Sequence, residues 1–534
     1  RGDSRKPVSA TAIAMPGVHP VENPYAGKWM VAVGVTLGSV LELIDTSIVN
    51  VALSHISANL GVSVDEVAWV SVAYILAAVI ILPMTGWLAA YFGRKRYFIW
   101  SIIIFTTASF FCGAARSLES LVIWRIIQGL GGGALISTAQ AILFDAFPME
   151  ERTLASAIFG IGMMVGPAFG PTLGGLIVDR FQWPWIFYIN VPLGIIAALV
   201  VTSYVKDARE DKARPGKVDV MGLALLALGI GSLQFVLERG EHYEWFDSRL
   251  IAVLAVVAVV AIGAMIWWEL RVKYPILDLR ILKDRSLAGG AAFGSVLGIS
   301  LYGSLFALPL LAQGLLGFDA MTTGLALLPG AIGSAVAMMA IARTQSKVDT
   351  RWFIVAGALI MSAAMFGHSH FTLATDKHDM MWPVALRGIG AGLMFVPLTA
   401  SALARLRGRA LGQGAAIFNL SRQLGGSIGI AALATLLTHY TATYRAVLSE
   451  HVTVFDPAAQ ARIAALTQGF MATSPDSATA QARAMMAINH SMNAQASLLA
   501  YAQIFRLVGV IVLCSIPLIL LLDRPQGKTP APAH

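Results

Sequence analysis

The chain has 534 residues, of which 57% are hydrophobic and 13% charged, and a formal net charge of +8; its mean hydropathy is +0.71. An ordinary soluble domain carries roughly 25% charged residues, so the composition excludes one and predicts an all-α, multi-pass membrane protein. The positive charge does not mark a nucleic-acid binder, because the basic residues sit in short clusters between apolar runs, where a topology signal belongs. The two cysteines, Cys112 and Cys514, fall inside apolar runs without metal-ligand spacing, so no disulfide framework, metal site or cofactor is expected.

Residues 1–28, rich in Pro, Ala and Ser, read as a disordered tail. Apolar runs of spanning length follow at 29–53, 67–91, 97–115, 119–146, 153–178, 184–204, 218–238, 249–269, 287–316, 322–342, 352–370, 381–404, 411–438 and 498–522. Each is long enough because a helix rises ~1.5 Å per residue and needs about 20 residues to cross a hydrocarbon core. Fourteen helices put both termini on one side, and roughly 26 of the 38 basic residues fall there, against roughly 8 on the other face. This predicts cytoplasmic termini.

The halves repeat. Gly129, Gly131 and Gly133 fall on Gly388, Gly390 and Gly392, Ala157 to Phe159 on Ala416 to Phe418, and Gly166 and Gly170 on Gly425 and Gly429. The fourth and fifth helices thus correspond to the twelfth and thirteenth in the same orientation. Two pseudo-symmetric six-helix bundles are predicted, 29–205 and 287–522, with two additional helices and their linkers over 206–286 and a second tail over 523–534. The sizeable polar excursion at 439–497 falls on the outer face. Asp456-Pro457 and Ser474-Pro475 each read as an N-cap followed by Pro at the first helical position, which predicts two ordered helices, the second leading into the last span.

Within the first run, Glu42 and Asp45 project from one helix face. An ionisable group in a spanning helix faces a bundle interior or a wet cavity and marks an ion or substrate path, or else it pairs with a basic residue and locks helices together. Both readings stand at this point. Arg125, Arg387 and Arg422 are cations inside other runs, and each needs a carboxylate, a carbonyl or water beside it; Arg125 is the natural partner for a first-helix acid. In the fifth run, Gly166-Pro167 and Gly170-Pro171 predict a bent, closely packed helix, since Pro removes a backbone donor and Gly lets a neighbour approach.

These residues carry a family likeness. Ile44 to Leu53 matches a first-helix signature, with Ser54 where Pro is usual; Gly86 to Leu88 with Gly93 to Arg96 looks like the loop between helices two and three, with Ala90 where an acid is common. Arg125, Gln128 and Gly129 look like the fourth-helix motif, and Gly162, Gly166-Pro167, Gly170-Pro171 and Gly174-Gly175 like the antiporter motif of the fifth helix. The stretch from Phe455 is similar as well, so nearly the whole chain resembles the EmrB-like fourteen-helix drug:proton antiporters of the major facilitator superfamily.

The resemblance implies the major facilitator fold and proton-driven efflux of hydrophobic or amphipathic drugs and toxic small molecules across a bacterial inner membrane. It also implies a periplasmic adaptor (membrane fusion) protein and an outer-membrane channel as partners, besides substrate, protons and membrane lipid. Proton coupling falls to Asp45, Glu42 and Arg125, with Asp45 as carrier and Glu42 as a second titrating or substrate-contacting acid, or with those roles exchanged. Candidate wall residues are Glu42, Asp45, Tyr74, Gln128, Gln140, Phe306, Gln313 and Asn419. Gating falls to Gly162, Gly166, Pro167, Gly170, Pro171 and Gly174 with Arg94 and Arg96; without an acid at Ala90, the two arginines also read simply as positive-inside determinants. Competing readings are an exporter of one endogenous metabolite or lipid, an importer of the same superfamily, and a channel, which would show no ion coupling. His368 and His370 are the only close histidine pair and fall short of a metalloenzyme motif, and no Walker motif appears, so an ion gradient rather than ATP is expected to supply the energy.

Overall fold

The computed structural model describes residues 27–148, 151–206, 219–344, 348–450, 452–453, 455–473 and 476–522. The expected tails, apart from residues 27 and 28, lie outside the described residues, as do Ser474, Pro475 and the side chains of Pro167 and Pro171.

The long elements are all helices, in chain order α1 (Lys28–Leu60), α2 (Trp69–Phe92), α3 (Arg94–Gly113), α4 (Leu118–Ala146), α5 (Arg152–Arg180), α6 (Trp185–Tyr204), α7 (Val220–Arg239), α8 (Arg249–Glu269), α9 (Arg285–Leu315), α10 (Ala320–Thr344), α11 (Thr350–His368), α12 (Lys377–Leu403), α13 (Gly408–Ser449), α14 (Pro457–Met471) and α15 (Ser477–Leu521). Thirteen of them are long and apolar enough to cross a membrane, and α5, with 29 residues, has the length to be the fourteenth. Helices satisfy their backbone groups internally, which hydrocarbon demands. Short polar side chains start them: Ser117, Asp219, Asp284, Asp349 and Asp376 each accept a hydrogen bond from a first-turn amide of α4, α7, α9, α11 and α12. Asp456 caps α14 with Pro457 at its first position, as expected, whereas α15 begins two residues beyond the expected site, capped by Asp476.

The same neighbours occur twice. In the first half α1 packs on α5 and α6, α2 on α4, and α3 on α4 and α6; in the second α9 packs on α13 and α15, α10 on α12, and α11 on α12 and α15. Contacts of α5 with α10 and α12, and of α13 with α2 and α4, join the two sets. The additional helices pair with each other, and α7 lies against α2 and α13. Its partner α8 faces outward, with Val253, Val256, Val259 and Val260 exposed, the surface a lipid-facing helix presents.

Two features depart from regular spans. First, α13 and α15 outgrow the membrane: the 42 residues of α13 extend about 63 Å, twice a hydrocarbon core. α13 therefore continues past the expected end at 438, and α14 packs on α15 beyond the span. Second, α4 is interrupted at Gly133 and Ala134, between the helical segments Leu118–Gly132 and Leu135–Ala146. A Cβ at Gly129 would come 2.5 Å from the Tyr74 carbonyl, so glycine is what lets α4 lie against α2. The break leaves first-turn amides of the second segment, Ile136 among them, without intrahelical acceptors.

Candidate functional site

Asp45 on α1 is fully buried. Its Oδ2 accepts from Arg125 Nη1 of α4 at 2.5 Å, and its Oδ1 accepts from Gln128 Nε2 and Asn190 Nδ2, each at 2.9 Å. Arg125 also donates from Nη1 to Gln128 Oε1 at 2.8 Å and from Nε to the Val70 carbonyl at 2.9 Å, and its guanidinium lies 4.2 Å from the centroid of the Tyr74 ring. Asn190 reaches on to Ser109 at 3.1 Å, which donates to the Phe187 carbonyl. A charge pair taken out of water persists only when its remaining donors and lone pairs are filled, and here groups of α2, α4 and α6 fill them.

Glu42, one turn away, is placed differently. It is half-buried, and its Oε2 is enclosed without a hydrogen-bond partner. Arg422 belongs to α13, in the other half. Arg422 donates from Nη1 to Tyr302 Oη at 2.7 Å and from Nη2 to Asn419 Oδ1 at 3.3 Å, while Asn419 Nδ2 donates to Gln140 Oε1 of α4 at 2.7 Å. Gln140 and Asn419 thus form a polar contact across the halves, with Arg422 donating to Asn419 behind it.

Beside that contact lies a narrow cavity of about 40 Å³, walled by Leu43, Met163 and Met164 of the first half and by Leu301, Leu305 and Leu327 of the second. Its polar groups are Tyr302, Ser334, Arg387 and Arg422. Of the eight candidate wall residues, none lines this space. Asp45, Tyr74 and Gln128 are enclosed in the network around Arg125, Gln140 and Asn419 bind each other, and Phe306 is half-buried elsewhere on α9. Gln313 is exposed in a π-helical turn over Leu311–Leu315. Pro309 precedes that turn; its missing donor and the extra residue of the turn rotate the side chains beyond them away from a regular helical register.

The comparison with known proteins decides the family. The model of the Major Facilitator Superfamily matches residues 35–430. The chain belongs to the major facilitator superfamily. It is 36% identical over 443 residues to "Multidrug export protein EmrB" of Escherichia coli (strain K12), covering 82% of this chain and 86% of that protein. It is 33% identical over 505 residues to "Fatty acid resistance protein FarB" of Neisseria gonorrhoeae, covering 94% and 98%. Among solved structures, the superfamily's proton:xylose symporter XylE, bound to 6-bromo-6-deoxy-D-glucose, aligns at a TM-score of 0.58 and 13% identity over 94% of this chain and 98% of that one, a likeness of fold.

Within this superfamily chain, the glycines of α5 face α1. A Cβ at Gly162 would overlap Thr36, one at Gly166 would meet Leu43 Cβ at 2.5 Å, one at Gly170 would overlap Ser47, and one at Gly174 would meet Ile48 at 3.0 Å. Ser47 Oγ also donates to the Gly166 carbonyl at 3.2 Å. The motif therefore binds two helices of one half into a close pair, and α5 is helical throughout. Besides the contacts of α5 with α10 and α12, the halves meet at the end that holds Arg94. Arg94 pairs with Asp145 and donates to the Gly408 carbonyl at 2.6 Å, and Gly86 packs against the backbone of Gly412 and Gln413. Arg96 is exposed. Asp145 supplies from α4 the acid that Ala90 lacks, and sequence gives no spacing by which to find it. Asn190 was legible in principle, being an amide at the start of an apolar run.

Proposed function

We propose that the protein is a proton-driven exporter of hydrophobic or amphipathic small molecules, set in a bacterial inner membrane with both termini in the cytoplasm. Halves 29–205 and 287–522 rock about the cavity, and 206–286 carries the additional helices. The Lys/Arg asymmetry makes the end that holds Arg94 and Gly408 the cytoplasmic one, so the halves are closed there. The relatives' names, a multidrug exporter and a fatty acid resistance protein, support export of amphipathic compounds.

The carrying observation is the pair of unlike acids on α1. Asp45 is saturated by Arg125, Gln128 and Asn190, whereas Glu42 keeps an oxygen without a partner. Glu42 is the member that takes up and releases the proton; Asp45 and Arg125 hold the field in which it does so. A proton on Glu42 cancels its attraction for Arg422, so the charge contact between α1 and α13 weakens and the closed arrangement loses support. Coupling then arises because proton occupancy changes which arrangement is stable.

The outer hairpin of α13, α14 and α15 is an ordered projection on the periplasmic face, suited to hold an adaptor that continues the path to an outer-membrane channel. Deleting 456–490 should abolish adaptor co-purification and leave transport in proteoliposomes intact; unchanged co-purification removes the adaptor role.

Export itself is tested in inside-out proteoliposomes with an acidic lumen. Amphipathic dye should accumulate and saturate, and dissipating the pH gradient should release it. Uptake that ignores the gradient and does not saturate would make the protein a channel.

A further inference from the structure

Arg387 on α12 is a buried cation for which the described residues supply no acid. Its Nη1 donates to Ser304 Oγ at 2.9 Å, its Nε is enclosed without a partner, and no carboxylate among the described residues lies within ion-pairing distance. Two other buried cations differ: Arg125 holds Asp45 and Arg94 holds Asp145. His368, enclosed between Phe371 and Phe505, offers no counter-charge either, an imidazole being neutral or cationic. A guanidinium out of water without a counter-charge is costly. Yet Arg387 lines the cavity.

With Nη1 committed to Ser304, the Nε and Nη2 edge remains, the side of a guanidinium that takes a carboxylate bidentately. Gly330 stands next to Nη2, and a Cβ there would come within 3.3 Å of it, so this position carries no side chain to cover the edge. The neighbouring wall is apolar, formed by Leu43, Met163, Met164 and Leu327, and methionines adapt to ligands of different shape. We propose that Arg387 is the headgroup site of a pocket for amphipathic anions that widens as the halves part, with the carboxylate on the guanidinium edge and the apolar tail along the Leu43 and Met163 wall. The direction of transport rests on the exporter reading; the binding site does not.

The test compares three probes with the same ten-carbon tail, decanoate, decanol and decyltrimethylammonium, titrated against the full chain in nanodiscs of zwitterionic lipid. Decanoate should bind best. Arg387→Gln should weaken decanoate about ten-fold or more, the value of a charge-assisted hydrogen bond, and leave decanol unchanged. Ser304→Asp gives Arg387 an internal carboxylate at its present partner and should abolish the preference for decanoate while keeping the thermal unfolding temperature, which decides the matter if Arg387→Gln fails to fold. Undiminished decanoate preference in either folded variant overturns the proposal, as does equal loss of decanoate and decanol. Dye export driven by a pH gradient reads the exporter function separately: if the wild type exports no dye, that reading fails while decanoate binding still decides the role of Arg387.

Discussion

The two halves share a packing frame and put opposite chemistry on it. In the first, Gly166 meets Leu43 and Gly170 meets Ser47; in the second, Gly425 meets Ser295 and Gly429 meets Ile299. By that register the counterpart of Asp45 is Leu297, which is buried. On the fourth helix of each half, the glycine repeat places Arg387 where the first half has Gln128. One half thus holds an acid satisfied by a cation and two amides, and the other holds a cation with only a serine. Glycine, needed for close approach, tolerates no exchange, while side chains facing the interior are free to diverge. On the two proposals above, the first half is the proton side and the second the anion side.

The largest change expected from breaking this contrast comes at Asp45. Asp45→Asn leaves Arg125 buried without its counter-charge and should cost about 3–5 kcal/mol, read as a fall in thermal unfolding temperature, together with loss of gradient-driven accumulation. Adding Arg125→Gln should restore most of the stability and none of the accumulation. Recovery of both would mean that the pair only locks helices.

If the glycine frame serves both halves alike, Gly170→Leu and Gly429→Leu should each cost about 1–3 kcal/mol through overpacking, with substrate binding kept and turnover lost. A large effect in one half and none in the other would show that the frame is not shared.

Glu42→Gln should change stability less, because one carboxyl oxygen has no hydrogen bond to lose. Its effect belongs to coupling: dye should still bind, with an affinity that no longer varies with pH, and export against a gradient should stop. Normal proton dependence in Glu42→Gln and Asp45→Asn alike would move the coupling site off α1.

Sequence made the frame legible and the cavity much less so. Spans follow from hydropathy, and the repeat from glycines whose spacing is local. Asp45 and Arg125 could be paired because an ionised group in hydrocarbon needs a partner and few exist. The wall could not be read, since it depends on which faces meet between halves: Met163 and Leu327 look like any packing residue, and Tyr74 and Gln128 turn inward to Arg125. Gln313 is exposed in a π-helical turn that leaves no simple trace in composition. Arg387 stood out as a buried cation, but that it lacks an acid is a statement about everything around it.

The smallest effect is expected at an acid outside the membrane, which separates ordinary titration from coupling. Asp476 caps α15, accepting from the Thr479 amide at 2.7 Å and from the Thr479 hydroxyl at 3.0 Å. The amide first, and then the hydroxyl, hold its carboxyl below the usual 3.8. Because the folded value lies below the unfolded one, the stabilisation is complete above the unfolded value and is lost as pH falls through the folded value. Across the range in which transport is measured the cap is therefore constant. Hydrogen exchange of the first α15 amides, corrected for the intrinsic pH dependence, should speed up in the wild type only in acid, and in Asp476→Ala should be fast already at neutral pH with no further acid response. The same variant should leave the pH profile of dye export unmoved. A shifted profile would bring the outer hairpin into the coupling cycle, and the division between a proton half and an anion half would then have to include it.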